Sequence, residues 1–246
     1  MTQISIELVP RSSESLDADL RILQKHFSSI RMVNIPDLLR YRFRSWEACL
    51  QARRALPRAI PHLRAMDFDL NDLGLLKEIL SGGELSEILV IQGDPPQDLS
   101  RRVFSTKSVD LIRGIKCGMP QVKVYAAIDP YRTSFRQEMA YVEEKVEAGA
   151  DGFFTQPFFE QRRMDIWADL LKGVEVFWGV SPAVTDRTRQ YWETKNSAFF
   201  PTDFEPTLAW NRRFAAASLA WAKSRKTNLY FMPIRLDLVR YLEGIL

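Results

Sequence analysis

Histidine and cysteine are scarce in this chain, with two of each in 246 residues. His26, His62, Cys49 and Cys117 are scattered without ligand spacing, which excludes a standard zinc site. The unpatterned cysteines also argue against a disulfide framework, so reduced thiols and a cytoplasmic setting are expected. No apolar run approaches the roughly 20 residues that span a bilayer, and the N-terminus opens directly on a strand-like segment without a signal-peptide pattern. Neither a Walker phosphate loop nor a G-x-G-x-x-G fingerprint is present, so any dinucleotide must be held in a non-Rossmann manner. The absence of a G-x-S-x-G elbow sets covalent hydrolase chemistry aside. Excess charge of one sign is also missing. Lys plus Arg number 34 against 31 Asp plus Glu, a net +3, which gives no reason to expect nucleic acid.

What is present is an alternation. Short apolar strand candidates lie near 4–9, 30–35, 59–66, 87–92, 121–128, 152–155, 174–180 and 228–232, with amphipathic helix candidates between them. Eight strands in that alternation, in a chain close to the roughly 250 residues typical of the fold, predict an α/β protein: one (β/α)8 TIM-type barrel domain over 1–246. Ser134 and Gln137 have capping-box spacing, Phe135, Met139, Val142 and Val146 follow on one face, and Gly149 supplies the stop. Asp69 is read as the cap of a helix carrying Leu70, Leu73, Leu76 and Leu80 and ending at Gly82-Gly83. Ser105 is read as the cap of one carrying Val109, Ile112 and Ile115. The stretch 185–206 reads as a helix, then a loop, before a long helix near 207–224. The only candidate domain boundary falls between 180 and 207.

Polar residues mark the strand ends. Ile88-Leu89-Val90-Ile91 runs into Gln92-Gly93-Asp94-Pro95-Pro96, and Gly152-Phe153-Phe154 runs into Thr155-Gln156-Pro157. Glu7 sits within the apolar first strand, among Ile6, Leu8 and Val9. In barrel enzymes the C-terminal strand ends carry the chemistry, so these groups are expected to share one site. A carboxyl group in such apolar company should have a raised pKa, which suits a general acid. Arg40, Arg42 and Arg44 interleave with Tyr41 and Phe43, followed by Arg53 and Arg54. That cluster is either a solvated face or a dock for an anionic small molecule. Trp192, Phe199 and Phe200 are read as exposed aromatics marking a subunit interface or a cofactor lid, and a homo-oligomer stays open.

In family order, Ser5-Ile6-Glu7, Pro61-His62-Leu63, Gly93-Asp94-Pro95-Pro96, Ala148-Gly149-Ala150-Asp151 and Thr155-Gln156-Pro157-Phe158-Phe159 resemble the methylenetetrahydrofolate reductase family. Leu229-Tyr230-Phe231 leading to Arg235 extends the match. The resemblance implies a barrel in which FAD passes a hydride from NADH or NADPH to 5,10-methylenetetrahydrofolate, giving 5-methyltetrahydrofolate. It implies Glu7 as the acid that protonates the leaving ring nitrogen. Asp94 and Gln156 would contact the pterin and Arg235 the glutamate tail. His62, Gln92, Gly93, Tyr125, Asp129 and Lys145 would lie about the cofactor.

The chain departs from the family where the flavin would sit. Gln92 replaces an Arg, Asp129-Pro130 replaces His-Pro, and Glu144-Lys145 replaces Arg-Lys. Acidic groups there would repel a diphosphate. Two routes stay open: direct hydride transfer from the nicotinamide, or a shifted FAD using arginines such as Arg132 and Arg136. A third reading is a folate-binding barrel that serves methyl transfer or acts as a non-redox regulatory subunit.

Overall fold

A computed structural model describes residues 2–82, 84–96 and 102–246. Eight parallel strands close into a barrel in sequence order: β1 (Ile4–Glu7), β2 (Met32–Ile35), β3 (Arg58–Arg64), β4 (Glu87–Ile91), β5 (Lys123–Ile128), β6 (Gly152–Phe158), β7 (Val176–Val180) and β8 (Asn228–Phe231). The closing pair is β1 with β8. Helices α1 (Ser13–His26), α2 (Ser45–Ala52), α3 (Gly74–Ser81), α4 (Ser108–Gly118), α5 (Phe135–Glu147), α6 (Gln161–Leu170), α7 (Asp186–Asn196) and α8 (Leu208–Arg225) lie in the connections, and α9 (Leu238–Leu242) follows β8. The sequence prediction of a (β/α)8 barrel is met.

Period-2 alternation sorts each strand's residues between two cores. Ile6, Val33, Leu63, Val90 and Phe231 pack outward with the helices. Ile60, Leu89, Tyr125, Phe154, Phe177 and Tyr230 pack together in the inner cluster. There Phe154 and Phe177 stack at 4.4 Å, and Tyr125 meets both edge-on at 5.2 and 5.6 Å. The N-terminal end is closed by ion pairs, Arg58–Glu87 at 2.5 Å and Lys123–Glu175 at 2.6 Å. These four charged strand residues are therefore engaged with one another.

Two helix starts differ from expectation. Asp69 accepts from the Asn71 backbone N–H two residues on, at 3.0 Å, making a local turn, so α3 begins only at Gly74. Leu70 and Leu73 thus precede the helix; Gly82 is its C-cap, and Gly83 lies outside the described residues. Helix α4 starts at Ser108, not just after Ser105, because its cap comes from the residue after β4: the Gln92 Oε1 accepts from the Ser108 N–H at 3.0 Å. The capping box of α5 forms as predicted between Ser134 and Gln137.

Strand β6 runs three residues beyond its expected end, with a bulge between Phe154 and Pro157. At the bulge the Thr155 hydroxyl accepts from the Gly179 N–H at 2.9 Å, and the Tyr230 hydroxyl donates to the Thr155 carbonyl. A Cβ on Gly179 would lie 2.9 Å from that carbonyl, so only glycine fits. Trp192 and Phe200 are not exposed. They pack with Phe159, Phe204 and Trp210 into a third apolar cluster, leaving Phe199 at the surface. Among the described residues, no helix is long and apolar enough to cross a membrane.

Candidate functional site

Glu7 is the last residue of β1 and pairs in register with Asn34 of β2. The two are joined by a hydrogen bond from Asn34 Nδ2 to Glu7 Oε2 at 3.1 Å. Asn34 Nδ2 also lies 3.1 Å from Nε2 of His62, two residues beyond its register partner Ile60 on β3. The far end of the Asn34 amide accepts from the Ser5 hydroxyl at 2.7 Å. In that orientation the NH2 faces both Glu7 and His62. His62 must then accept at Nε2 and carry its proton on Nδ1.

Burial sets the charges of this row. It pushes the Glu7 carboxyl up to about 7, opposed by the Asn34 hydrogen bond. It holds His62 down to about 3, so the imidazole is neutral at physiological pH. Glu7 is only 9% exposed, and the proton it holds near neutrality lies at the C-terminal end of the barrel strands, where barrel enzymes carry their chemistry. Asn34, which holds the row together, carried no sequence signal beyond being a polar residue in an apolar strand.

Arg64, the last residue of β3, was also missed by sequence reasoning. It is buried at 4% exposure, with Nη2 donating to the Asp94 carbonyl at 2.5 Å and lying 3.7 Å from Asp67. Its Nε is buried with no hydrogen-bond partner among the described residues. The guanidinium reaches Asp94 because Gly93 turns at φ 84° and has no side chain; a Cβ there would come within 2.8 Å of Nε. Arg64 and Gly93 therefore fix where Asp94 sits, while the Asp94 side chain remains exposed. Gln156 follows at the β6 bulge, half-buried, with no hydrogen bond to its amide among the described residues. Bulges commonly re-aim side chains beside active sites. Arg235 lies beyond β8, exposed, in a left-handed turn at φ 55°.

Other candidate cofactor residues are engaged elsewhere. Tyr125 lies at the opposite end of the barrel, its hydroxyl 3.2 Å from Arg58 at the start of β3. Gln92 spends both ends of its amide on the structure: besides capping α4, its Nε2 donates to the Thr106 carbonyl at 3.1 Å. Lys145 is buried outside the barrel wall, with Nζ donating to the Ala127 carbonyl at 2.6 Å and lying 3.8 Å from the Tyr141 ring centre. Burial lowers its pKa to about 8, against the pull of Glu138. Asp129 stands beside Glu138, whose carboxylate accepts the Asp129 N–H at 3.1 Å and pairs with Arg132 at 2.8 Å. Burial raises the Asp129 pKa as well. The β5–α5 side thus offers a pinned lysine, a paired arginine and two carboxylates. That donor set does not fit a flavin diphosphate.

Comparison with solved structures places the fold among known barrels. An uncharacterised protein from Clostridium thermocellum, described as binding two copies of 5-methyl-5,6,7,8-tetrahydrofolic acid, is similar with a TM-score of 0.66 at 12% identity, over 99% of this chain and 93% of that one. The lyase acting on 2,3-dimethylmalate, of the PEP mutase/isocitrate lyase superfamily, is similar with a TM-score of 0.58 at 10% identity, over 94% of this chain and 73% of that one. The methylenetetrahydrofolate reductase family model matches residues 44–185, a span that holds His62, the Gly93-Asp94 turn and Gln156. Because that match takes in more than half of the chain, the protein belongs to the methylenetetrahydrofolate reductase family.

Proposed function

We propose that the protein reduces 5,10-methylenetetrahydrofolate to 5-methyltetrahydrofolate with NADH or NADPH, the hydride passing directly from the nicotinamide. The observation that carries this reading is Glu7: a carboxyl group at the catalytic end of the barrel, pushed up to about 7 by burial and oriented by Asn34. Such a group is protonated often enough at neutral pH to donate and basic enough to be recharged. Its proton goes to N10 of the folate as the N10–methylene bond breaks. The electron pair of that bond stays on N10, and N5 and the methylene carbon become an iminium. Hydride from the nicotinamide then forms the third C–H bond of the methyl group. One hydride and one proton are consumed for each oxidised nicotinamide released.

Asp94 suits the amino-pyrimidine edge of the pterin, which offers neighbouring N–H donors, and Gln156 can donate and accept against the same heterocycle. Arg235 offers a cation for the glutamate tail. The poor fit of Lys145, Asp129 and Glu138 to a diphosphate favours a reaction without flavin. The test is anaerobic NADH and NADPH consumption by flavin-free protein with 5,10-methylenetetrahydrofolate. Turnover without added FAD supports direct transfer. Turnover only with FAD overturns the direct route and keeps the reductase.

A second reading is a folate-binding barrel without redox chemistry, acting in methyl transfer or regulation. It draws support from the altered flavin contacts and from the similar Clostridium thermocellum protein described as binding a methylated folate. Folate binding with no nicotinamide oxidation under any of these conditions would establish it.

A further inference from the structure

The arginine-rich stretch after β2 is not used by the Glu7 row, and the structure gives it a neighbour. A cavity of about 210 Å³ opens on the C-terminal rim, lined by Arg44, Trp46, Asp67, Phe68, Leu75 and Arg102. These residues come from the β2–α2, β3–α3 and β4–α4 connections and the helices they lead into. The volume is below the roughly 300 Å³ of a pocket for a whole ligand, so it suits one end of a longer molecule.

The lining pairs flat apolar walls with cations. Phe68 is buried at 3% exposure and supplies a fixed floor. The Arg44 guanidinium lies 4.4 Å from the Trp46 ring centre and the Arg102 guanidinium 4.8 Å from that of Phe104. Asp67, the one acid among the described lining residues, is held by Arg44 at 3.1 Å and Arg64 at 3.7 Å, so its charge is met from within. Arg102 has no ion pair among the described residues, nor do the exposed Arg40 and Arg42 on the loop of Arg44. The wall bearing Arg102 is anchored where it runs on: the Phe104 N–H donates to the Met66 carbonyl at 2.8 Å and the Thr106 hydroxyl to the Phe68 carbonyl at 2.6 Å. The cavity adjoins the mouth through Arg64, which touches Asp67 on one side and the Asp94 carbonyl on the other.

We propose that this rim cavity is a subsite for an aromatic ring carrying an anionic group, with the ring against Trp46 and Phe68 and the anion toward Arg102. Guanidinium groups bind phosphate and carboxylate and stack on rings, which matches this chemistry. Two parts of the proposed reactants have it: the adenosine phosphate end of the nicotinamide cofactor and the aminobenzoyl-glutamate end of the folate. The choice between them rests on the proposed reductase reading; the subsite itself does not.

The experiment is titration calorimetry of the full chain with ADP and, separately, p-aminobenzoylglutamate, repeated with Arg102→Glu and with Arg213→Glu. Arg213 is exposed on α8 and serves as the charge control. The expected result is binding of one probe that weakens with salt, is at least tenfold weaker in Arg102→Glu and is unchanged in Arg213→Glu. ADP binding assigns the cavity to the nicotinamide cofactor, and p-aminobenzoylglutamate binding assigns it to the folate tail. Binding of neither probe, or equal loss in both variants, overturns the subsite. A parallel titration with 5-methyltetrahydrofolate separates the two levels: if that ligand fails while ADP binds through Arg102, the folate reading falls and the subsite stands.

Discussion

Glu7 and Asn34 are paired in register across β1 and β2, and the Asn34 amide donates to the Glu7 carboxyl at 3.1 Å. The partner is neutral. A cation there would hold Glu7 ionised and spoil it as an acid, whereas an amide orients the carboxyl while burial keeps its pKa near neutrality. Burial keeps His62 neutral, and the same amide selects its tautomer by donating to Nε2. A single side chain therefore sets the orientation of an acid and the tautomer of a histidine.

The rate should follow the protonated fraction of Glu7. With its pKa at about 7, turnover should be steady at mildly acidic pH and fall as pH rises through that value. In Asn34→Ala the bond that lowers the pKa is lost, so the falling limb should move to higher pH. Glu7→Gln should lose turnover by about 100-fold or more while keeping folate affinity within a few-fold. The measurements are kcat against pH for the three proteins and a folate titration. A falling limb that stays put in Asn34→Ala would sink the pairing as the control of Glu7.

Stability should carry the same signature. The folded pKa of Glu7, about 7, lies above its unfolded value of 4.5, so folding favours the protonated form. That contribution is complete below 4.5 and is lost as pH rises through about 7. A gap of about 2.5 pH units corresponds to about 3 kcal/mol. Glu7→Gln keeps an acceptor for Asn34 and never ionises. Urea unfolding should therefore find it similar to the wild type near pH 4.5 and about 3 kcal/mol more stable near pH 8. A constant difference across that range would mean that Glu7 is not buried as described.

Gln92 separates structure from ligand binding. Its amide caps α4 and ties down the Thr106 carbonyl. Gln92→Ala should cost about 1 kcal/mol, the value of a lost helix cap, and leave kcat and KM within twofold. A tenfold rise in the KM for NADH with unchanged stability would instead put Gln92 in contact with the cofactor.

The barrel was legible in the sequence because eight short apolar runs alternate with helix-like segments, and each run ended within three residues of its strand. Glu7, Asp94 and Gln156 were legible as candidates because polar groups near the ends of apolar strands are conspicuous. Asn34 and Arg64 were not: their significance comes from neighbouring strands, Asn34 through its register with Glu7 and Arg64 through the turn at Gly93. Tyr125 and Lys145 illustrate the opposite problem. Resemblance placed them near a cofactor, but barrel height puts Tyr125 at the far end and burial turns Lys145 onto the Ala127 carbonyl. Helix starts were misjudged where a remote residue such as Gln92 supplied the cap.

Arg64 and Gly93 should act on folate affinity through Asp94. In Gly93→Ala the new Cβ would fall 2.8 Å from Arg64 Nε and 3.0 Å from Arg64 Cβ, in a backbone already at φ 84°. Strain of this kind costs about 1–3 kcal/mol. Relieving it requires Arg64 to move, which stretches its bond to the Asp94 carbonyl. Arg64→Met removes that bond without touching Gly93. If the bond positions Asp94 for the pterin, both variants should raise the KM for 5,10-methylenetetrahydrofolate about tenfold, equivalent to about 1.4 kcal/mol. Both should change kcat at saturation by less than threefold, since Glu7 and Asn34 lie on other strands. Asp94→Asn sets the upper limit, because it weakens the carboxylate contact itself. A KM unchanged in Arg64→Met but raised in Asp94→Asn would show that the turn holds Asp94 without the arginine. A fall in kcat matching that of Glu7→Gln would show that Arg64 acts on the acid rather than on the pterin.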